Sequence, residues 1–165
     1  MSDATAIKEF SPIESMIVNW KMYAGEITIE IHAKNVVPAI RTLKEEMGFN
    51  YLSDITGSDM FTDEKRFEIA YNLVNLEGKK RIRVSLRIDE NDAEVDSITD
   101  LFGSANWYER EVYDMLGIRF RGNEDLRRIY MPEDFEYYPL RKEFPLLGIQ
   151  GSIQLPEKDA PKGYK

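Results

Sequence analysis

At 165 residues, with 30 acids against 22 bases and a formal net charge of −8, the chain has room for one domain, and its acidity disfavours nucleic acid and anionic lipid. It holds no cysteine and one histidine, which excludes disulfides, thiolate nucleophiles, cysteine-ligated iron–sulfur clusters and the usual structural zinc sites. No apolar run approaches the roughly 18–20 residues that span a bilayer, and the acid-bearing start MSDATAIKEF lacks a signal peptide's apolar core, so the chain is expected to stay where it is made.

Ser11-Pro12-Ile13-Glu14 has capping-box spacing with proline at the first helical position, which predicts a helix to about Met22 with Ile13, Met16, Ile17 and Trp20 on one stripe. Glu26 to His32 alternates as a half-buried strand does. Asn35 is placed to cap a second helix, striped by Val36, Ile40, Leu43 and Met47 and closed by Gly48. Tyr51 to Ile55 reads as a strand ended by the turn residues Thr56-Gly57-Ser58-Asp59. Arg66 to Leu76 and Arg81 to Ile88 read as a hairpin joined by Glu77-Gly78-Lys79-Lys80. A helical region follows from Val95 to Leu116, broken near Gly103 and stopped by Gly117.

Beyond Gly117 the periodicity ends, and the remaining residues hold five of the seven prolines. So long a stretch without elements is unusual in a compact domain, yet residues 118–146 are too rich in large apolar side chains to read as disordered. The expected organisation is a core over 1–117 and an extended arm over 118–165, together one domain. An arm of this composition needs a surface to lie on, either its own domain or another protein.

Trp107 to Leu146 concentrates nine aromatics and six arginines among acids such as Glu109, Glu111, Asp114, Glu124, Asp125, Glu133 and Asp134. Arginine and aromatic residues are enriched at protein interfaces, and this interleaving suggests bidentate arginine–carboxylate pairs. Glu111 and Asp114, three apart on one helix, could instead share a proton or a metal, but paired helical carboxylates are usually solvated or arginine-paired. The arginines at 119, 121, 127 and 128 suggest a nucleic-acid patch only until the neighbouring acids are counted. No glycine-rich dinucleotide motif follows a strand and no P-loop occurs. His32 reads as an ordinary surface histidine.

Trp107-Tyr108-Glu109-Arg110-Glu111, Tyr113-Asp114-Met115, Gly117-Ile118, Phe120 and Asp125-Leu126-Arg127-Arg128-Ile129 together resemble the C-subunit, or thirty-kilodalton subunit, family of respiratory complex I, the NADH:quinone oxidoreductase. Met131-Pro132-Glu133-Asp134-Phe135, Pro139-Leu140-Arg141-Lys142 and Phe144-Pro145-Leu146 continue the likeness, and Asp54-Ile55-Thr56-Gly57 with Phe67 to Leu73 extend it backwards to cover about residues 30–147. Three positions depart from the family's pattern. Gly122-Asn123-Glu124 stands where Gly-His-Pro is common, Tyr71-Asn72-Leu73 where Tyr-His-Leu is, and Tyr137-Tyr138 where a glycine precedes Pro-Leu-Arg.

The resemblance implies an α+β fold, with a small mixed or antiparallel sheet flanked by helices and an extended C-terminal arm. It implies a non-catalytic subunit without cofactor in the peripheral arm of a proton-translocating NADH:quinone oxidoreductase. NADH, FMN, iron–sulfur clusters and quinone would lie in partner subunits. The expected partners are the hydrogenase-like subunit that shapes the quinone cavity and the iron–sulfur subunits, at the cytoplasmic face of the inner membrane. No catalytic, cofactor or metal residue is expected in this chain. Glu109, Arg110, Glu111, Asp114, Asp125, Arg127, Arg128, Arg141 and Lys142 are the residues expected at the interfaces with other subunits. Alternatives are the equivalent subunit of a related membrane-bound hydrogenase or coenzyme F420 dehydrogenase complex, and, in another class, a small acid/base enzyme using Glu109, Glu111 or Asp114.

Overall fold

The computed structural model describes residues 7–61, 64–149 and 151. The tail beyond 151, expected to belong to the interaction arm, lies outside the described residues.

Strand β1 (Ile17–Tyr23) and strand β2 (Glu26–Ile31) form an antiparallel hairpin whose register closes at Tyr23↔Glu26. Its two turn residues, Ala24 and Gly25, both have positive φ, as a type I′ turn requires. The helix expected to reach Met22 is therefore a single 3-10 stretch, Ser11–Met16, followed by strand. Trp20 and Met22 pair with Ile29 and Ile27, so the apolar spacing read as helical serves a period of two once β2 supplies a partner. Ser11 makes no capping bond either, because the turn starts from Phe10.

Helix α1 (Val36–Glu45) buries Val36, Ile40 and Leu43 of the expected stripe, together with Ala39, while Met47 lies beyond its end and is partly buried, and the Asn35 side chain does not cap it. Strands β3 (Tyr51–Asp59), β4 (Phe67–Asn75) and β5 (Lys80–Ile88) then make an antiparallel meander. The sheet order is β1-β2-β5-β4-β3, and only β2 and β5 run parallel. Strand β3 continues through the residues expected to turn. Gly57 belongs there because a Cβ would meet Leu116 Cδ1 at 2.6 Å and Val112 Cγ1 at 2.9 Å, so its bare backbone lets a helix settle on the edge strand.

That helix, α2 (Ala105–Leu116), is shorter than expected. Residues 94–103 are instead strand β6 (Glu94–Asp96) and turns, and β6 pairs in parallel with strand β7 (Arg119–Arg121). Ile118 and Phe120, just beyond position 117, are buried in the same core as Ile69, Tyr71, Leu73, Val84 and Leu86. The result is the expected α+β arrangement: a mixed five-stranded sheet with few helices.

Candidate functional site: the clamp between helix α2 and the arm

Helix α2 ends at Gly117, whose φ of 80° closes a left-handed cap and directs its N–H to Tyr113 O at 2.8 Å. A Cβ at Gly117 would lie 2.7 Å from the Tyr138 ring, so the arm crosses the helix end where only glycine fits. Ala105, Glu109, Val112 and Leu116 form the buried stripe, and Arg110 and Asp114 are buried beside it.

Glu109 has no exposed surface. Its Oε1 accepts from the Ile98 amide at 2.9 Å, and its Oε2 accepts from Ser97 Oγ and Asn123 Nδ2, each at 2.8 Å. Burial pushes its carboxyl above the ordinary value, and those three donors only partly offset the shift. The Tyr71 hydroxyl is the one buried side-chain polar atom without a hydrogen-bond partner among the described residues. Burial, with the charges of Glu109 and Asp96, pushes that phenol well above its usual range.

Asp114 is also fully buried and organises the start of the arm. Its Oδ2 accepts from the amides of Ile129, Tyr130 and Met131 at 3.0, 2.7 and 3.0 Å, a nest of three successive N–H groups. Its Oδ1 accepts from Arg128 Nη1 at 2.6 Å. Burial alone would raise this carboxyl, but the Met131 and Tyr130 amides, Arg128 and the Ile129 amide together hold it below the usual carboxylate range. Arg110 donates to the carbonyls of Arg127 and Arg128 and, at 3.4 Å, to Asp125.

A second anchor holds the far end. The Asp59 side chain is fully buried and receives Arg66 through Nε at 2.9 Å and Nη2 at 2.6 Å, together with the Lys142 and Phe61 amides. The Arg66 guanidinium, against the opposing effect of burial, holds Asp59 well below the usual range. Arg66 also pairs with Glu90 and Glu143, and Arg141 donates to Leu116 O and Glu90.

Between the anchors, arginines and rings alternate. Arg128 lies against Phe135 and Tyr138 at 5.8 and 5.2 Å, Arg141 against Tyr138 and Phe67 at 4.7 and 5.2 Å, and Arg66 against Phe67 and Phe61 at 5.2 and 5.3 Å. Each such contact stabilises by about 0.5–2 kcal/mol depending on desolvation.

The residues expected at the interfaces with other subunits thus divide. Glu109, Arg110 and Asp114 are buried and satisfied within the chain, because an ionised group on an inward helix face needs internal partners. Arg128 and Arg141 are largely covered and tie the arm to the domain. Glu111, Arg127 and Lys142 remain on the surface, with Asp125 half-buried between Arg110 and Arg127. Sequence reading missed Asp59, Arg66, Glu90 and Glu143, whose pairing across as many as 77 residues leaves no local signal. The three departures from the family pattern have local partners: Asn123 on Glu109, Asn72 between Asp54 and Arg83, and Tyr138 between two arginines. Among the described residues no three His, Asp or Glu side chains gather as a metal site, and no helix is long and apolar enough to cross a membrane.

Residues 29–150 match the family model described as the respiratory-chain NADH dehydrogenase, 30 Kd subunit. The chain is 34% identical over 162 residues to the NADH-quinone oxidoreductase C-subunit of Geotalea uraniireducens, covering 98% of this chain and 94% of that one. It is 44% identical over 134 residues to the mitochondrial NADH-ubiquinone oxidoreductase 30.4 kDa subunit of Neurospora crassa, covering 80% of this chain and 47% of that one. Among solved structures, a trypsin-resistant fragment (1-134) of Nqo5 superposes with a TM-score of 0.65 at 33% identity, over 76% of this chain and all of the fragment. A chain of the membrane-bound sulfane sulfur reductase, an archaeal respiratory membrane complex, superposes with a TM-score of 0.76 at 26% identity, over 89% of this chain and 88% of that one. With the family's fold present and the match running through the clamp itself, this chain belongs to the 30 Kd subunit family of respiratory-chain NADH dehydrogenase, the family of the NADH-quinone oxidoreductase C-subunits.

Proposed function

We propose that this chain is a structural subunit of the peripheral arm of a proton-translocating, complex I-type quinone oxidoreductase. It carries no redox group itself and keeps the quinone-cavity subunit and the iron–sulfur subunits in register. NADH, FMN, clusters and quinone are the partners' business in this reading, and attachment to the cytoplasmic face of the membrane runs through the complex.

The observation that carries the reading is where the family's charged residues point. Glu109, Arg110, Asp114, Arg128 and Arg141 build the arm onto the domain, with every buried carboxylate oxygen engaged by donors. A carboxylate locked by three amides and an arginine is poorly placed to exchange protons with a substrate. These residues are structural, and what they build is a rigid outer surface.

The likeness to a chain of an archaeal membrane-bound sulfane sulfur reductase favours one second reading, the equivalent subunit of a related membrane-bound complex such as a hydrogenase or an F420 dehydrogenase. Affinity purification of the tagged chain from gently extracted native membranes, with partners identified by mass, tests both. Recovery of a hydrogenase-like subunit with iron–sulfur subunits is expected, and the donor-side subunits distinguish the two readings. Substrate turnover by the isolated chain would overturn both in favour of a small carboxylate enzyme.

A further inference from the structure

The clamp leaves an apolar notch open. The Leu140 amide donates to Met115 O at 3.1 Å, which lays the Leu140 side chain over the join between helix α2 and the edge strand β3. Beside it is a notch of about 90 Å³, lined by Ile55, Gly57, Val112 and Leu116 and by the exposed Glu111. The size suits a single aliphatic side chain. Leu140 is 56% exposed, and the surface around the notch carries two more large exposed side chains. Trp107, one helical turn before Glu111, stacks one face on Arg110 and leaves 61% of its surface open. Tyr130, 62% exposed, reaches Glu111 only through a 3.4 Å hydroxyl contact.

Glu111 differs from its neighbours Glu109 and Asp114. It is exposed where both of them are buried, and, unlike Asp114 with its Arg128, it has no cation paired with it among the described residues, whereas Arg110, Arg127, Arg128 and Arg141 all have carboxylate partners. An open apolar socket, flanked by aromatic surface and an uncompensated carboxylate, is complementary to an apolar side chain accompanied by a cation.

We propose that this notch is an anchoring point for a neighbouring subunit, which inserts one apolar side chain beside Leu140 and presents an arginine or lysine to Glu111. The inference rests on the functional reading above and adds to it the site and the chemistry of the partner. It also places the contact on helix α2 and Leu140, apart from the buried charges of the clamp.

The test uses the tagged full chain in its native host, comparing the wild type with Leu140→Glu, Glu111→Lys and Glu111→Gln. Leu76→Glu, which removes a 60% exposed leucine elsewhere, is the control. Co-purifying subunits are quantified by mass at low and moderate salt, and thermal melting of each isolated chain checks its fold. The expected result is at least a tenfold loss of one redox subunit for Leu140→Glu and Glu111→Lys with unchanged melting. Glu111→Gln should give a smaller, less salt-sensitive loss, and Leu76→Glu none. A photo-reactive side chain at position 140 should cross-link to that same subunit, in a peptide holding an apolar residue beside an arginine or lysine. Wild-type recovery of the subunits by the Leu140→Glu and Glu111→Lys chains overturns the inference and leaves the functional reading standing. Failure of the wild-type chain itself to recover any redox subunit overturns both.

Discussion

Arg128 closes onto helix α2 through both ends of Asp114: its Nη1 donates to the side-chain Oδ1 at 2.6 Å and to the main-chain carbonyl at 3.0 Å. The pair is nearly dry, with 10% of the Arg128 side chain and none of the Asp114 side chain exposed. One acid on a helix thereby fixes where the arm begins.

Replacing Asp114 with Ala strands a buried guanidinium and three amides, so the expected cost is about 3–5 kcal/mol. The loss should be partly local. Trypsin is expected to cut after Arg127, Arg128 and Arg141 faster than in the wild type, while urea unfolding reads the global part. Protection equal to wild type at those sites would show that Asp114 does not hold the arm.

Gly57→Ala tests the seat of the helix. Its methyl must displace Leu116 or Val112, both packed in the core, and overpacking of this kind costs about 1–3 kcal/mol. Chemical denaturation should show a lower midpoint with an unchanged slope.

The unpartnered Tyr71 hydroxyl predicts an unusual sign. Burying an unsatisfied donor costs free energy, so Tyr71→Phe should leave stability unchanged or raise it by up to about 1 kcal/mol. A clear loss in thermal melting would mean that the hydroxyl has a partner.

Glu109 makes a pH-dependent prediction. Burial raises its carboxyl in the folded state, so its contribution to stability is present below the unfolded value and is lost as pH rises through the folded value. Asp59 and Asp114 work the other way, since their depressed carboxyls stabilise above the unfolded value and lose that effect as pH falls through the folded one. Both remain in Glu109→Gln, so they cancel in the difference between the two proteins. The unfolding free energy of Glu109→Gln relative to wild type should therefore increase from acidic to neutral pH, and a flat difference would contradict the assignment.

Local periodicity identified strands β2, β4 and β5 and helix α1, because their apolar alternation or stripe had one sensible period. It failed at Ile17–Tyr23, where the three-residue spacing of Ile17 and Trp20 fits a helix, and a strand accommodates it only through the register shift between Ile17 and Asn19. Thr56-Gly57-Ser58-Asp59 has turn composition but strand geometry. Its glycine answers a helix lying on it, and its aspartate answers Arg66, neither of which is visible locally. At the clamp, residue chemistry indicated arginine–carboxylate pairing without saying whether the pairs lay within the chain or across a contact. Burial decides for Asp114–Arg128 and Asp59–Arg66, and it leaves Glu111 facing outward.

The proposed scaffold role requires that these charges hold the subunit together and run no chemistry. The most direct measurement is made on membranes from a host whose only copy of the chain carries Arg128→Ala. The amount of assembled oxidoreductase is determined there beside its quinone-reductase turnover. A scaffold role predicts that both fall together, so that each complex still assembled works at the wild-type rate. Full assembly with turnover lost would contradict it and give the clamp's charged groups a direct part in proton movement.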